Sequence, residues 1–107
     1  MGSQDVKAEV IKALKWYGFY IFDKNKLEAV REVMKTIGDL RSLVKVRSLP
    51  QNPDFFILEV DTYTFEAECR EKCSKNGIPD PYCYSRCLAD YSRNIIDKLV
   101  VALSKYE

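Results

Sequence analysis

The sequence predicts an α+β fold: helix, short strand, helix, β-hairpin, then a disulfide-stapled antiparallel helical hairpin with a long C-terminal helix. Three observations carry this expectation. Apolar residues recur at helical spacing in the first and last stretches and between residues 25 and 38. They alternate with charged residues from 43 to about 62, broken by Pro50-Gln51-Asn52-Pro53-Asp54. Four cysteines stand in two pairs, each pair four positions apart, on either side of a turn signal.

The elements follow in order. Residues 4 to 17 place Val6, Val10, Ala13, Leu14 and Tyr17 at helical spacing, with Ser3 available as N-cap and Gly18 to end the helix. Phe19-Tyr20-Ile21-Phe22 fits a buried strand, because aromatic and β-branched side chains pack well on a pleated surface; periodicity alone leaves a continued helix open. Asn25 followed by Glu28 reads as a capping-box start to a second helix, whose stripe of Leu27, Val30, Met34 and Ile37 ends at Gly38. From Leu43 to Leu49, Val44 and Val46 share one face and Lys45 and Arg47 the other. The return strand, from Phe55 to about Thr62, sets Phe56, Leu58 and Val60 opposite Glu59 and Asp61. One face of this hairpin must therefore cover helices while the other meets solvent or a partner.

Thr62 or Thr64 caps a third helix with Glu66 and Glu68 in its first turn, where the helix dipole favours negative charge; it stops near Asn76-Gly77. Asp80-Pro81 supplies an N-cap and a first-turn proline for the last helix. Its stripe of Tyr84, Leu88, Tyr91, Ile95, Leu99, Ala102 and Tyr106 extends about 39 Å at 1.5 Å per residue. With no linker, repeat or low-complexity tract, residues 1–107 read as one domain, a size that buries roughly two thirds of its unfolded surface.

Cys69 and Cys73 project from one helix face one turn apart, and so do Cys83 and Cys87. In an antiparallel helical hairpin, facing residues have a constant sum of residue numbers, which pairs Cys69 with Cys87 and Cys73 with Cys83. The other connectivities need a bond along one helix or a crossed pair, both poor geometries. A four-thiolate zinc site is the rival reading, although structural zinc sites more often use Cys-x2-Cys knuckles. Reduced thiols remain a third, and the absence of Cys-x-x-Cys argues against redox catalysis.

The twin Cys-x3-Cys spacing at Cys69, Cys73, Cys83 and Cys87 resembles that of plant α-hairpinin peptides and of the small mitochondrial Tim chaperones. The resemblance spans about residues 69 to 87 and implies the stapled helix pair alone. The spacer here is shorter than in the small Tims, which have no β-hairpin ahead of the cysteines.

Composition narrows the function classes. The 17 basic and 16 acidic residues leave a formal charge of +1, so no global field favours nucleic acid or membrane. The halves differ: residues 1 to 53 carry ten Lys or Arg against six Asp or Glu, and residues 54 to 107 seven against ten. No apolar run is long enough for a membrane span or a secretory signal, and Val6 breaks the myristoylation pattern that Met1-Gly2 begins. Four cysteines without an export signal, two glutamines and no histidine fit the cytoplasm of a hyperthermophile, where disulfides persist; a secreted or intermembrane-space protein fits too.

Without histidine, Ser-His and Cys-His chemistry is excluded, and four glycines form no phosphate-binding loop. No enzyme, cofactor or metal site is expected. Glu59 and Asp61 share a strand face, which is more often a solvated face than an acid-base pair. The distinctive cluster interleaves cations and aromatics: Lys12, Lys15, Trp16, Tyr17, Phe19, Tyr20, Phe22, Lys24 and Lys26, then Lys45, Arg47 and Phe55. Single-stranded DNA or RNA is bound in this way, with bases stacked on rings and phosphates neutralised. Lys12, Lys15, Trp16, Tyr20, Lys45, Arg47 and Phe55 are its candidate contacts. The plainer reading makes Trp16, Phe19 and Phe22 core residues. An alternative class is a protein-interaction or homo-oligomeric module using the C-terminal stripe and Tyr82, Tyr84 and Tyr91.

Overall fold

The computed structural model describes residues 3–105, with side chains from Asp5 onward; the Ser3 cap and Tyr106 at the end of the stripe fall outside the described groups. The first helix, α1 (Ser3–Trp16), buries Val6, Val10 and Leu14 along one side. Gly18 ends it with a φ of +83°, its N–H reaching the carbonyls of Ala13 at 3.2 Å and Leu14 at 3.1 Å. A Cβ at that position would lie 3.4 Å from Cδ1 of Ile96, an ordinary contact, so it is the positive φ that favours glycine there.

Strand β1 (Phe19–Asp23) alternates: Tyr20 and Phe22 are buried, Phe19 and Ile21 exposed. The run expected to be buried on both sides is covered on one. Asp23, not Asn25, begins the next helix. Its side chain accepts the Asn25 N–H at 2.9 Å across a 3₁₀ turn at Lys24–Lys26, which leads into α2 (Leu27–Lys35). Val30, Val33, Met34 and, just past the helix, Ile37 are buried. A 3₁₀ segment, Gly38–Leu43, then leads to β2 (Val44–Leu49).

Strand β3 (Asn52–Val60) follows after only Pro50-Gln51. Asn52-Pro53-Asp54, expected in the turn, belong to the strand. The register shifts between Ser48 and Leu49, and such an irregularity accommodates Pro53, which has no N–H to give. The three strands form an antiparallel sheet in the order β1-β3-β2. Tyr20 pairs with Leu58 and Phe22 with Phe56, while Val44 and Val46 pair with Val60 and Leu58, so these side chains share the face turned to the helices, although Val46 itself stays exposed. The rings of Tyr20, Phe22 and Phe56 stack in succession at 5.3 and 5.9 Å.

Helix α3 (Tyr63–Lys72) starts on Asp61, whose side chain accepts the Tyr63 N–H at 3.2 Å. Thr62 occupies the N-cap position but donates its hydroxyl to Glu66 instead of capping the backbone. The expected simple turn is a miniature hairpin, β4 (Ser74–Lys75) and β5 (Ile78–Pro79), joined by Asn76-Gly77. Both turn residues have positive φ, 54° and 79°, which the Asn-Gly pair tolerates at little cost. Helix α4 (Pro81–Ser104) is capped by Asp80, whose carboxylate accepts from the N–H of Tyr82 at 3.0 Å and of Cys83 at 3.3 Å.

The disulfides join Cys69 to Cys87 and Cys73 to Cys83, with Cα separations of 5.7 and 5.5 Å. A third rung, Phe65 stacked on Tyr91 at 5.0 Å, obeys the same constant sum of residue numbers. The main hydrophobic cluster joins α1, β1, α2 and β3 to the C-terminal half of α4, where Ile95, Ile96, Leu99 and Leu103 are buried, and takes in Phe65 and Cys69 of α3. The N-terminal half of α4 has no buried residue of its own. It and α3 form an arm closed by the rungs. The molecule measures 54 × 34 × 22 Å, and its 15.5 Å radius of gyration exceeds the roughly 13 Å usual for this length.

Candidate interaction surface

Helices cover one face of the sheet. The other face carries, strand by strand, Phe19, Ile21 and Asp23; Phe55, Ile57 and Glu59; and Lys45 and Arg47. Ile57 at its centre is only 8% exposed, although it lies outside the main core cluster. Around it Phe19, Ile21 and Phe55 are 39%, 46% and 38% exposed. Tyr17, 72% exposed, stands 6.2 Å from the Phe19 ring, and Trp16, 75% exposed, lines a groove with Tyr17 and Ile21. Helix end and sheet face therefore make one apolar surface.

The sequence-derived contacts divide between separate settings. Trp16 and Phe55 are displayed, contrary to the reading that makes Trp16 and Phe19 core; Phe22 does belong to the core. Tyr20 is also buried, its ring against Phe22 and its hydroxyl donating to Glu9 at 2.5 Å, so it presents no face for stacking. Lys12 and Lys15 are exposed on α1 beside Trp16. Lys45 and Arg47 lie on the outer sheet face with acids beside them. Arg47 Nε donates to Glu59 at 2.8 Å, and Lys45 Nζ stands 3.9 Å from both Glu59 and Asp61. With Asp23 included, this face carries two cations and three anions. Lys24 faces Asp54 at 3.6 Å and Lys26 bonds Glu9 at 3.1 Å.

Glu9 links α1 to the strand and turn. The Tyr20 hydroxyl, and next the Lys26 ammonium, hold its carboxyl below the usual value. Burial, reinforced by the bond to Glu9, pushes the Tyr20 phenol up. Both shifts move away from neutrality, fixing one group charged and the other neutral.

On the arm, Tyr82 is exposed, whereas Tyr84 and Tyr91 are half-buried. A shallow groove of about 520 Å³ runs beside the staple, lined by Lys72, Tyr82, Arg86 and Tyr91 among others. Lys72 donates to the Tyr91 hydroxyl at 3.1 Å and sits 5.4 Å from its ring centroid. All four cysteines are bonded to one another, leaving no thiolate for the zinc reading. Among the described residues no helix is long and apolar enough to cross a membrane.

Sequence reasoning passed over Ile21 and Ile57, because their place on the outer face depends on which strand pairs with β1. It also missed the Phe65–Tyr91 rung, although the arithmetic that pairs the cysteines pairs these rings as well. No family model, curated protein or solved structure matches the chain, so the likeness to α-hairpinins and small Tims is one of cysteine spacing.

Proposed function

We propose that the protein is a non-enzymatic assembly module that self-associates through the surface formed by Trp16, Tyr17, Phe19, Ile21 and Phe55. The supporting observation is the contiguity of these side chains. Scaling 150–250 Å² per aromatic side chain by the exposures above gives on the order of 500 Å² of apolar area. The largest apolar patch on a typical monomer is about 300–600 Å² and is often functional, and a standard interface takes roughly 800 Å² from each partner. The patch supplies more than half of that. Its rim offers Lys45 and Arg47 together with Glu59 and Asp61, so a second copy meets both signs of charge. Closed two-fold dimers are the commonest assemblies, which favours a second copy as the occupant.

A non-enzymatic role agrees with a chain that has no histidine and with the Glu9–Tyr20 pair, whose shifted ionisations suit neither acid nor base catalysis near neutrality. Two disulfides fit an oxidising compartment or a hyperthermophile cytosol, and a stapled arm fits thermal resistance. Single-stranded nucleic acid is the second reading. Lys12 and Lys15 flank exposed Trp16 and carry no ion pair among the described residues, whereas the sheet face beyond is net acidic.

Trp16 is the only tryptophan and reports on both readings. Sedimentation and Trp emission are followed from micromolar to millimolar protein, with and without oligothymidylate. Self-association doubles the mass and shifts emission to the blue as concentration rises, and Trp16→Ala with Tyr17→Ala abolishes the mass change. A constant monomeric mass across the range sinks the assembly reading. Salt-sensitive quenching by the oligonucleotide in a protein that stays monomeric puts the nucleic-acid reading in its place.

A further inference from the structure

We propose that the free edge of β2 carries a binding site for the phosphate group of a small phosphomonoester, held between Arg31, Arg41 and Lys45. It stands apart from the self-association reading, since of its lining residues only Lys45 touches the rim of the aromatic patch.

A pocket of about 210 Å³ lies there, lined by Arg31 and Met34 of α2, Arg41 of the 3₁₀ segment, and Val44, Lys45 and Val46 of β2. Arg31 and Met34 are three positions apart and so share one side of their helix. The 3₁₀ segment delivers Arg41 to the start of the strand, where its carbonyl accepts the Val44 N–H. Val44 and Val46 point to one sheet face and Lys45 to the other, so a pocket that touches all three follows the strand's outer edge. A backbone donor is available as well. The Asp61 N–H bonds the Leu43 carbonyl, which makes these two a hydrogen-bonded pair; by alternation Lys45 bonds inward to β3, and Val46 turns its N–H to the free edge.

Charge selects the occupant. Three elements contribute one cation each, and no carboxylate is among the described residues that line the pocket. The acids that meet these cations hold them loosely. Glu28 reaches Arg31 at 3.4 Å with both side chains largely exposed, and Glu59 and Asp61 stand 3.9 Å from Lys45, at the limit of an ion pair. Glu32 is engaged by Lys35, and Arg41 has no ion pair among the described residues, with Asp39 two positions before it included. A phosphate dianion offers three terminal oxygens to three cations, two of them guanidiniums whose planar fork matches a phosphate edge; a carboxylate has only two oxygens to offer. The rest of the lining is apolar: Met34 is buried, Val44 half-buried and Val46 exposed, so an apolar body suits the group that carries the phosphate. The volume lies below the roughly 300–1,000 Å³ of sites for drug-sized ligands, which keeps that body small.

Titration of the full-length protein with phenyl phosphate, inorganic phosphate and phenol at low salt, followed by amide chemical shifts, tests this. Phenyl phosphate moves the amides of Arg41, Val44 and Val46 and binds at least tenfold more tightly than inorganic phosphate, while phenol moves none of them. Arg31→Gln and Arg41→Gln alter exposed side chains, so each keeps the dispersed spectrum of the folded protein and weakens binding at least fivefold. Acidification to about pH 5 weakens it too, because a phosphomonoester takes up a proton at about pH 6 whereas the chain, without histidine, keeps its three cations. No shift at millimolar phenyl phosphate, or shifts confined to Lys12 and Lys15, overturns the site. Equal affinity for inorganic phosphate overturns the ester and leaves a free anion as occupant. Oligothymidylate that moves the same amides at lower concentration than phenyl phosphate replaces the small ligand with a nucleic-acid strand.

Discussion

Tyr20 shows how one residue can serve core and surface at once. Its ring packs against Phe22, while its hydroxyl donates to Oε2 of Glu9 on α1, the same oxygen that the Lys26 ammonium bonds. The bond ties the strand to the helix and fixes two protonation states. For Glu9, a folded value below the unfolded one gives stability that is present above the unfolded carboxylate range and lost as pH falls through the folded value. Glu9→Gln is therefore expected to lower the urea midpoint at pH 7, by an amount that shrinks as pH falls below the ordinary carboxylate range. For Tyr20 the folded value is raised, so its contribution is complete below the ordinary phenol value of about 10 and declines as pH rises beyond it. Tyr20→Phe should cost about 1 to 2 kcal/mol at neutral pH and flatten the alkaline limb of the stability profile. Urea titrations across the pH range check both.

Among the elements, the arm is the one held least by hydrophobic burial. Helix α3 buries Phe65 and Cys69, with Cys73 just beyond its end, and α4 has no buried residue before Ile95. The rungs Phe65–Tyr91, Cys69–Cys87 and Cys73–Cys83 take the place of a larger core there. Replacing Cys73 and Cys83 by serine opens a loop worth about 3 kcal/mol on the chain-entropy account. The expected result is faster hydrogen exchange in α3 and the Asn76-Gly77 tip, with α1 and the three-stranded sheet little changed; uniform acceleration everywhere would show that arm and core unfold together. At the tip itself, Gly77→Ala places a Cβ on a residue with φ of +79°, where the surrounding space is open but the backbone is strained. A loss of about 1 kcal/mol in the unfolding free energy is expected.

At the scale of the whole molecule, a core of helices against one sheet face carries a protruding arm on one side and an unfilled sheet face with an open edge on another. Burial sets where mutations matter. Leu99→Ala removes a fully buried side chain and should cost about 2 to 5 kcal/mol, whereas Tyr82→Ala on the arm should stay within about 0.5 kcal/mol. Thermal denaturation of the two variants side by side measures the contrast.

What the sequence determined by itself was local and periodic. Gly18, Asp80-Pro81, the alternation of residues 43 to 60 and the spacing of the four cysteines each act within a few residues or within one hairpin, so their physics is complete in the order of the letters. Even the staple is local in this sense, because a short connection dictates which helical positions face each other. Tertiary structure alone decided which strand neighbours β1. The pairing of Tyr20 with Leu58 spans most of the first half of the chain, and no local signal encodes it. That one pairing turned an aromatic run into two faces, sending Tyr20 and Phe22 into the core and leaving Phe19 and Ile21 in view. The hairpin pairing of β2 with β3 separately sets Glu59 and Asp61 beside Lys45 and Arg47, so charges that read as a basic face along one strand are compensated by the next. The physical reason is that side-chain exposure and electrostatic field depend on neighbours brought together from distant parts of the chain.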